Sequence, residues 1–172
     1  MKLSEEEKQY LENIYQKFLN DDKVIRMKDI PMHNGSNCYI HSFKVARLAI
    51  KRALRHKKVN LEIVLIASIL HDYYLYDWRK EKRYKKDHGK QHPFIASYNA
   101  ERDFGISKEL QLTIESHMWP INIKRFPKTK EARIVTFADK TVATKEFLTS
   151  KKFKAKRLNK YMNEISHLFK MR

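Results

Sequence analysis

The stretch 61–72, LEIVLIASILHD, constrains the fold more than any other part of the chain. Its first ten residues are apolar but for Glu62 and Ser68 and leave no polar face, so the segment belongs inside a core. It is too short to span a bilayer, which takes roughly 18 or more apolar residues. His71 and Asp72 follow with no turn residue between. Burying an ionised carboxylate there is costly unless it is paired or bound to a metal. A hydrogen-bonded His–Asp pair would satisfy both groups, but imidazole nitrogen with carboxylate oxygen is also a ligand set for a divalent metal. Which of the two applies depends on what the other segments bring.

Several bring histidine or aspartate on a buried stripe. A helix is expected from Ser36 or Asn37 to about Lys57, with His41, Val45 and Leu48 at i, i+4 and i+7. That places His41 on or beside the buried face, whereas His56, in RHKK, points to solvent. His92 precedes Pro93, a residue tolerated where a helix starts, and the helix PFIASYNAERDF stops at Gly105. Ser107 caps SKELQLTIESHMW, which Pro120 ends; Leu110, Ile114 and His117 share its stripe. Thr129 opens a further helix in which Val135, Asp139 and Val142 lie on one face. At the N-terminus Ser4 and Glu7 form a capping box for a helix reaching about Asn20. His33 falls in a loop over 21–38, and His167 lies on a basic amphipathic helix expected over about 150–170.

One inward histidine is usually a satisfied core residue. His41, His71, Asp72, His92, His117 and Asp139 come from five helices or helix ends, and hydrogen bonding alone hardly satisfies four His and two Asp. Helical bundles build metal sites from such inward side chains. With no thiolate in the set, the donors suit one or two ions of Fe, Mn, Co, Ni or Zn.

Three Gly and four Pro in 172 residues argue for an all-α chain, about six or seven helices in one domain. The single Cys38 excludes an internal disulfide and fits a reducing cytosol. MKLSEEEKQY has no apolar signal core, so a cytoplasmic protein with no membrane partner is expected. The formal net charge of +17 favours polyanions: phosphorylated small molecules, nucleic acid or anionic lipid. A basic, solvated surface explains the charge equally well. The connection 73–91 is long, aromatic and basic, as lids and binding segments often are.

The order His41, His71-Asp72, Asp139, set in HSFKVARLA, ASILHD, HPFIASYNA and VTFADKT, resembles the HD-domain superfamily of metal-dependent phosphohydrolases. The resemblance covers about 36–147. It implies a compact helical domain of that type, with the 4–20 and 150–170 helices packed on its core. It also implies that His41, His71, Asp72 and Asp139 bind a first metal. His92 and His117 match the additional histidines of two-metal members, with Asp72 bridging and His88 a rival for the position of His92. Tyr73, Tyr74 and Leu75 stand where many members have a small residue and a lysine. The implied activity is hydrolysis, by metal-activated water, of a phosphoester or phosphoanhydride in a nucleotide or other small phosphorylated substrate. His71 and Asp72 would lie at the catalytic centre. Lys140 would neutralise phosphate charge, with Lys44 and Arg125 as further substrate-binding candidates. The alternatives are a di-iron oxygenase of the same fold and a non-enzymatic, basic nucleic-acid-binding protein.

Overall fold

Helices begin where the sequence supplies caps in the computed structural model, which describes residues 3–32, 35–148 and 164–169. Ser4 Oγ accepts from the Glu7 amide, and the Glu7 carboxylate accepts from the Ser4 amide, at the head of α1 (Glu5–Leu19). Two four-residue pieces follow, α2 (Asp22–Ile25) and a 3-10 turn (Arg26–Asp29). Asn37 caps α3 (Cys38–Ala53), and Asn60 caps α4 (Leu61–Leu70). After the short α5 (Lys82–Lys85) come α6 (His88–Phe104), α7 (Lys108–Ser116) and α8 (Lys130–Leu148). Ser107 caps α7, and Thr129 Oγ1 accepts from the Ala132 amide at the start of α8. Residues 164–169 are also helical.

The fold is all-α: among the described residues, extended pairing is confined to one isolated bridge between Pro31 and Asn37. Among the described residues six helices are nine residues or longer, matching the expected count, and the four-residue pieces add to it. The α4 helix is the hub, in contact with α1, α3, α6, α7 and α8. Nine of its ten residues are buried, and Glu62 accepts a hydrogen bond from Tyr10 at the surface. Each buried Leu, Ile or Val here contributes roughly 1.5–3 kcal/mol. From 164–169, Ile165 and Phe169 are buried in the same core.

Three boundaries differ from expectation, the simplest being α7, which ends at Ser116 with His117 as its C-cap and does not run on to Trp119. The α3 helix ends at Ala53, not Lys57, and the polar run beyond it turns, with Lys58 at φ +56°. The α6 helix begins at His88, ahead of Pro93, because the Asp87 carbonyl already accepts from the amides of Lys90 and Gln91. Pro93 thus sits in the second turn, giving up one amide donor. Gly105 ends α6 as expected, in the left-handed region at φ +62°.

The start of the 73–91 connection is buried, not solvated. Tyr73, Tyr74 and Tyr76 join the core directly after Asp72. Asn99 of α6 donates to the carbonyls of Tyr73 and Tyr74, and Tyr73 donates to Asp103, which pins the turn carrying the His71–Asp72 pair. His33 and most of the expected 150–170 helix lie outside the described residues.

Candidate metal centre

The apolar α4 delivers His71 and Asp72 at its C-terminal end, inside the bundle. His41 comes from the first turn of α3, His92 from α6, His117 from the end of α7 and Asp139 from the middle of α8. All six are buried. Their side chains converge, and the two oxygens of Asp72 face different partners. Oδ2 lies 3.4 Å from His71 Nε2 and 3.9 Å from His41 Nε2, while Oδ1 lies 3.2 Å from His92 Nε2 and 3.7 Å from His117 Nε2. Asp139 Oδ1 closes the first group, 3.1 Å from His41 Nε2 and 3.7 Å from His71 Nε2.

Each imidazole is aimed by what holds its other nitrogen. His71 Nδ1 donates to the Ser68 carbonyl, His92 Nδ1 to that of His88 and His117 Nδ1 to that of Ile114, each at 2.8 Å. A carbonyl only accepts, so these contacts place the proton on Nδ1 and turn Nε2 inward. His41 Nδ1 instead meets a carboxylate, Glu146 Oε2, at 2.8 Å.

Burial opposes charge on His41, but hydrogen bonds to Asp139 and Glu146 outweigh it and raise the ring to about 9. For His71, burial again opposes, and the charge of Asp72 with the contacts to Asp139 lifts it to about 10. His117 moves the other way: burial, then the neighbouring rings of His71 and His92, push it down to about 3. Burial also disfavours charged Asp72 and Asp139, yet the rings around them hold both carboxyls well below the usual range, His71 first for Asp72 and His41 first for Asp139. Two imidazolium protons thus balance two carboxylates, the charge that one divalent cation would supply in their place.

Two features call for that cation. His71 Nε2 is buried with no hydrogen-bond partner. His92 and His117 bring their Nε2 atoms to 2.9 Å, although both Nδ1 protons already serve carbonyls. Two nitrogens bound to one ion at about 2.0–2.1 Å lie about 2.9 Å apart when the angle between them is near a right angle. In three overlapping sets the donor atoms all lie within 4.8 Å of one another: His41, His71 and Asp72; His71, His117 and Asp139; Asp72, His92 and His117. The donor set fits a divalent metal.

Residues 38–144 match the HD domain family. The chain belongs to that family. No curated protein and no solved structure is similar enough to match. HD-domain proteins bind divalent metals, and the buried His/Asp cluster of this HD domain supplies donors of that kind.

The other expected site residues lie around the cluster in different ways. Lys140, 38% exposed, places Nζ 3.3 Å from Asp139 Oδ2 and beside Met118 Sδ. Lys44 is 11% exposed and ion-paired with Glu146. Arg125 pairs with Glu115 at 3.3 Å and lies over the Phe94 ring. His88 stacks between Trp78 and His92, and its Nδ1 meets the Tyr76 hydroxyl, so its ring acts as packing beside His92. Tyr74 closes the wall behind His92, its hydroxyl accepting from Cys38 Sγ. His56 and His167 are exposed. Among the described residues Glu146 was not anticipated. Its signal was its position seven residues after Asp139, two turns along the same face of α8.

Proposed function

We propose that this HD-domain protein is a metal-dependent phosphohydrolase that cleaves a phosphoester or phosphoanhydride in a nucleotide or other small phosphorylated substrate. The observation that carries the reading is the division of Asp72 between two histidine groups, Oδ2 toward His41 and His71 and Oδ1 toward His92 and His117. Family membership supports the same reading. His41, His71, Asp72 and Asp139 would hold one ion and Asp72, His92 and His117 a second. Bound there, the metal supplies a Lewis acid for phosphoryl oxygens and lowers the pKa of water toward about 7.

The protein's own groups do the rest. Main-chain carbonyls and Glu146 fix the ring orientations, so no ligand reorganises as the substrate arrives. Burial of all six donors keeps bulk water from screening their charges. Lys140, part exposed beside Asp139, is placed to meet the charge of a bound phosphate. The Tyr74 wall restricts approach from the side of His92.

The test is metal analysis of purified protein, followed by phosphate release from nucleoside mono-, di- and triphosphates and simple phosphomonoesters with Mn²⁺, Co²⁺ or Ni²⁺. Metal-dependent release that disappears in Asp72→Asn is expected. Oxygen uptake without phosphate release would favour oxidative chemistry at the same ligands. Nucleic-acid binding by a protein that holds no metal and releases no phosphate would favour a non-enzymatic role.

A further inference from the structure

Glu146 lies two residues beyond the family match at 144, yet its carboxylate touches the cluster. Three of the four inward histidines rest Nδ1 on a neutral carbonyl three or four residues earlier in the chain. His41 alone rests on a charged group, from a helix 105 positions away in sequence. The carboxylate is 11% exposed, and its other oxygen is ion-paired with Lys44, one turn along α3 from His41. Lys44, Glu146 and His41 thus form a chain of charge-assisted contacts tying α3 to α8 and ending at His41 Nδ1, on the ring whose Nε2 faces Asp139. Burial works against the ionised carboxylate, but the contacts to His41 and Lys44 keep it charged.

We infer that Glu146, held by Lys44, is a positioning residue that fixes the tautomer and orientation of His41 and makes the ion bound by His41, His71, Asp72 and Asp139 the tighter of the two. The inference rests on the metal reading above. A carboxylate behind a metal-binding imidazole raises its basicity and locks its ring, and losing such a partner typically costs about 10–100-fold in metal affinity. The His92–His117 group has no equivalent anion at its Nδ1 atoms, since carbonyls hold both. Lys44 therefore serves the centre from behind, and its mutation should act on metal binding before it acts on substrate binding.

The experiment titrates Mn²⁺ into wild-type protein, Glu146→Met, Glu146→Gln and the double variant Lys44→Met/Glu146→Met, with imidazole ¹⁵N–¹H spectra of the Zn²⁺-loaded proteins alongside. Glu146→Met should weaken the tighter ion by about 10–100-fold and leave the weaker one within about 2-fold, a margin near the usual scatter of such effects. Glu146→Gln keeps an acceptor oxygen and should recover part of the loss. The slowly exchanging Nδ1 proton of His41 should persist in wild type and Glu146→Gln and vanish in Glu146→Met. The double variant leaves neither charge unpaired, so it reports even if Glu146→Met fails to fold, and it should show the same loss. Unchanged affinity for both ions in the double variant overturns the role of Glu146 alone. Wild-type protein that binds no Mn²⁺ overturns it together with the metal reading.

Discussion

His92 and His117 hold their Nε2 atoms 2.9 Å apart while each ring gives its Nδ1 proton to a main-chain carbonyl. In that tautomer both inner nitrogens are acceptors, and two lone pairs facing each other are unfavourable unless a proton or a metal lies between them. His117 itself resists taking up that proton, since burial and the neighbouring rings push it down to about 3. Asp72 Oδ1 stands 3.2 Å from His92 and completes a three-donor group.

His117→Ala should therefore lower metal content from two ions toward one per chain and reduce turnover by orders of magnitude, as loss of a metal ligand does. Elemental analysis with steady-state kinetics checks both. An unchanged metal count with only a raised Michaelis constant would reassign His117 to phosphate binding.

Asp72→Asn should be more severe, because Asp72 faces both groups of donors. Metal content should fall below one ion per chain. The variant should also be less stable without metal, since removing one partner of a buried charge pair costs about 3–5 kcal/mol. Thermal melts of chelator-treated protein, beside metal analysis, measure both effects.

The architecture was legible in the sequence because its strongest signals are local. The apolar run of α4 and the caps at Ser4, Asn60 and Ser107 each act within four residues. The ligand set was legible from residue type and periodicity, since His41, His117 and Asp139 occupy apolar stripes. The start of α6 was missed because Pro93 looks like a helix start, while the governing contact is the Asp87 carbonyl. The pairing of Glu146 with Lys44 and His41 was obscured because the seven-residue step from Asp139 marks a shared face of α8 and not the partners on α3, 102 and 105 residues away. The buried Tyr73, Tyr74 and Tyr76 were masked by the basic residues that follow them.

Leu65→Ala tests whether α4 is the hub of the fold. Leu65 is fully buried on the helix that touches five others. The expected loss is about 2–5 kcal/mol, from lost burial and the cavity left behind. Chemical denaturation measures it, and a loss below about 0.5 kcal/mol, the range of ordinary surface substitutions, would contradict a central role.

Lys140→Ala separates substrate binding from metal binding. Its ammonium lies 3.3 Å from Asp139 Oδ2 and is 38% exposed, so it is available to an incoming phosphate. The Michaelis constant should rise several-fold with metal content unchanged. A drop in metal content equal to that of Asp72→Asn would instead make Lys140 a support for Asp139.

The pH dependence of the metal-free protein follows from three rings. His117 is lowered to about 3 from its ordinary 6.5, so below about 6.5 the unfolded chain takes up a proton that the native chain refuses. That contribution is intact above 6.5 and is lost as pH falls toward 3. His41 and His71 are raised, to about 9 and about 10, so their contribution is complete below 6.5 and is lost as pH rises through those values. Stability without metal should therefore peak near pH 6.5, with Asp72 and Asp139, both held well below the usual carboxylate range, adding to the loss in strong acid. A divalent cation replaces the protons of His41 and His71, so binding should release protons and affinity should rise between about pH 7 and 9. Adding Mn²⁺ should accordingly remove the alkaline decline and leave the metal-free acid limb unaltered where metal no longer binds. Melting temperatures of chelated and Mn²⁺-loaded protein across pH 5 to 9.5 test this. An alkaline decline that Mn²⁺ does not repair would show that the raised values of His41 and His71 are not exchanged for metal.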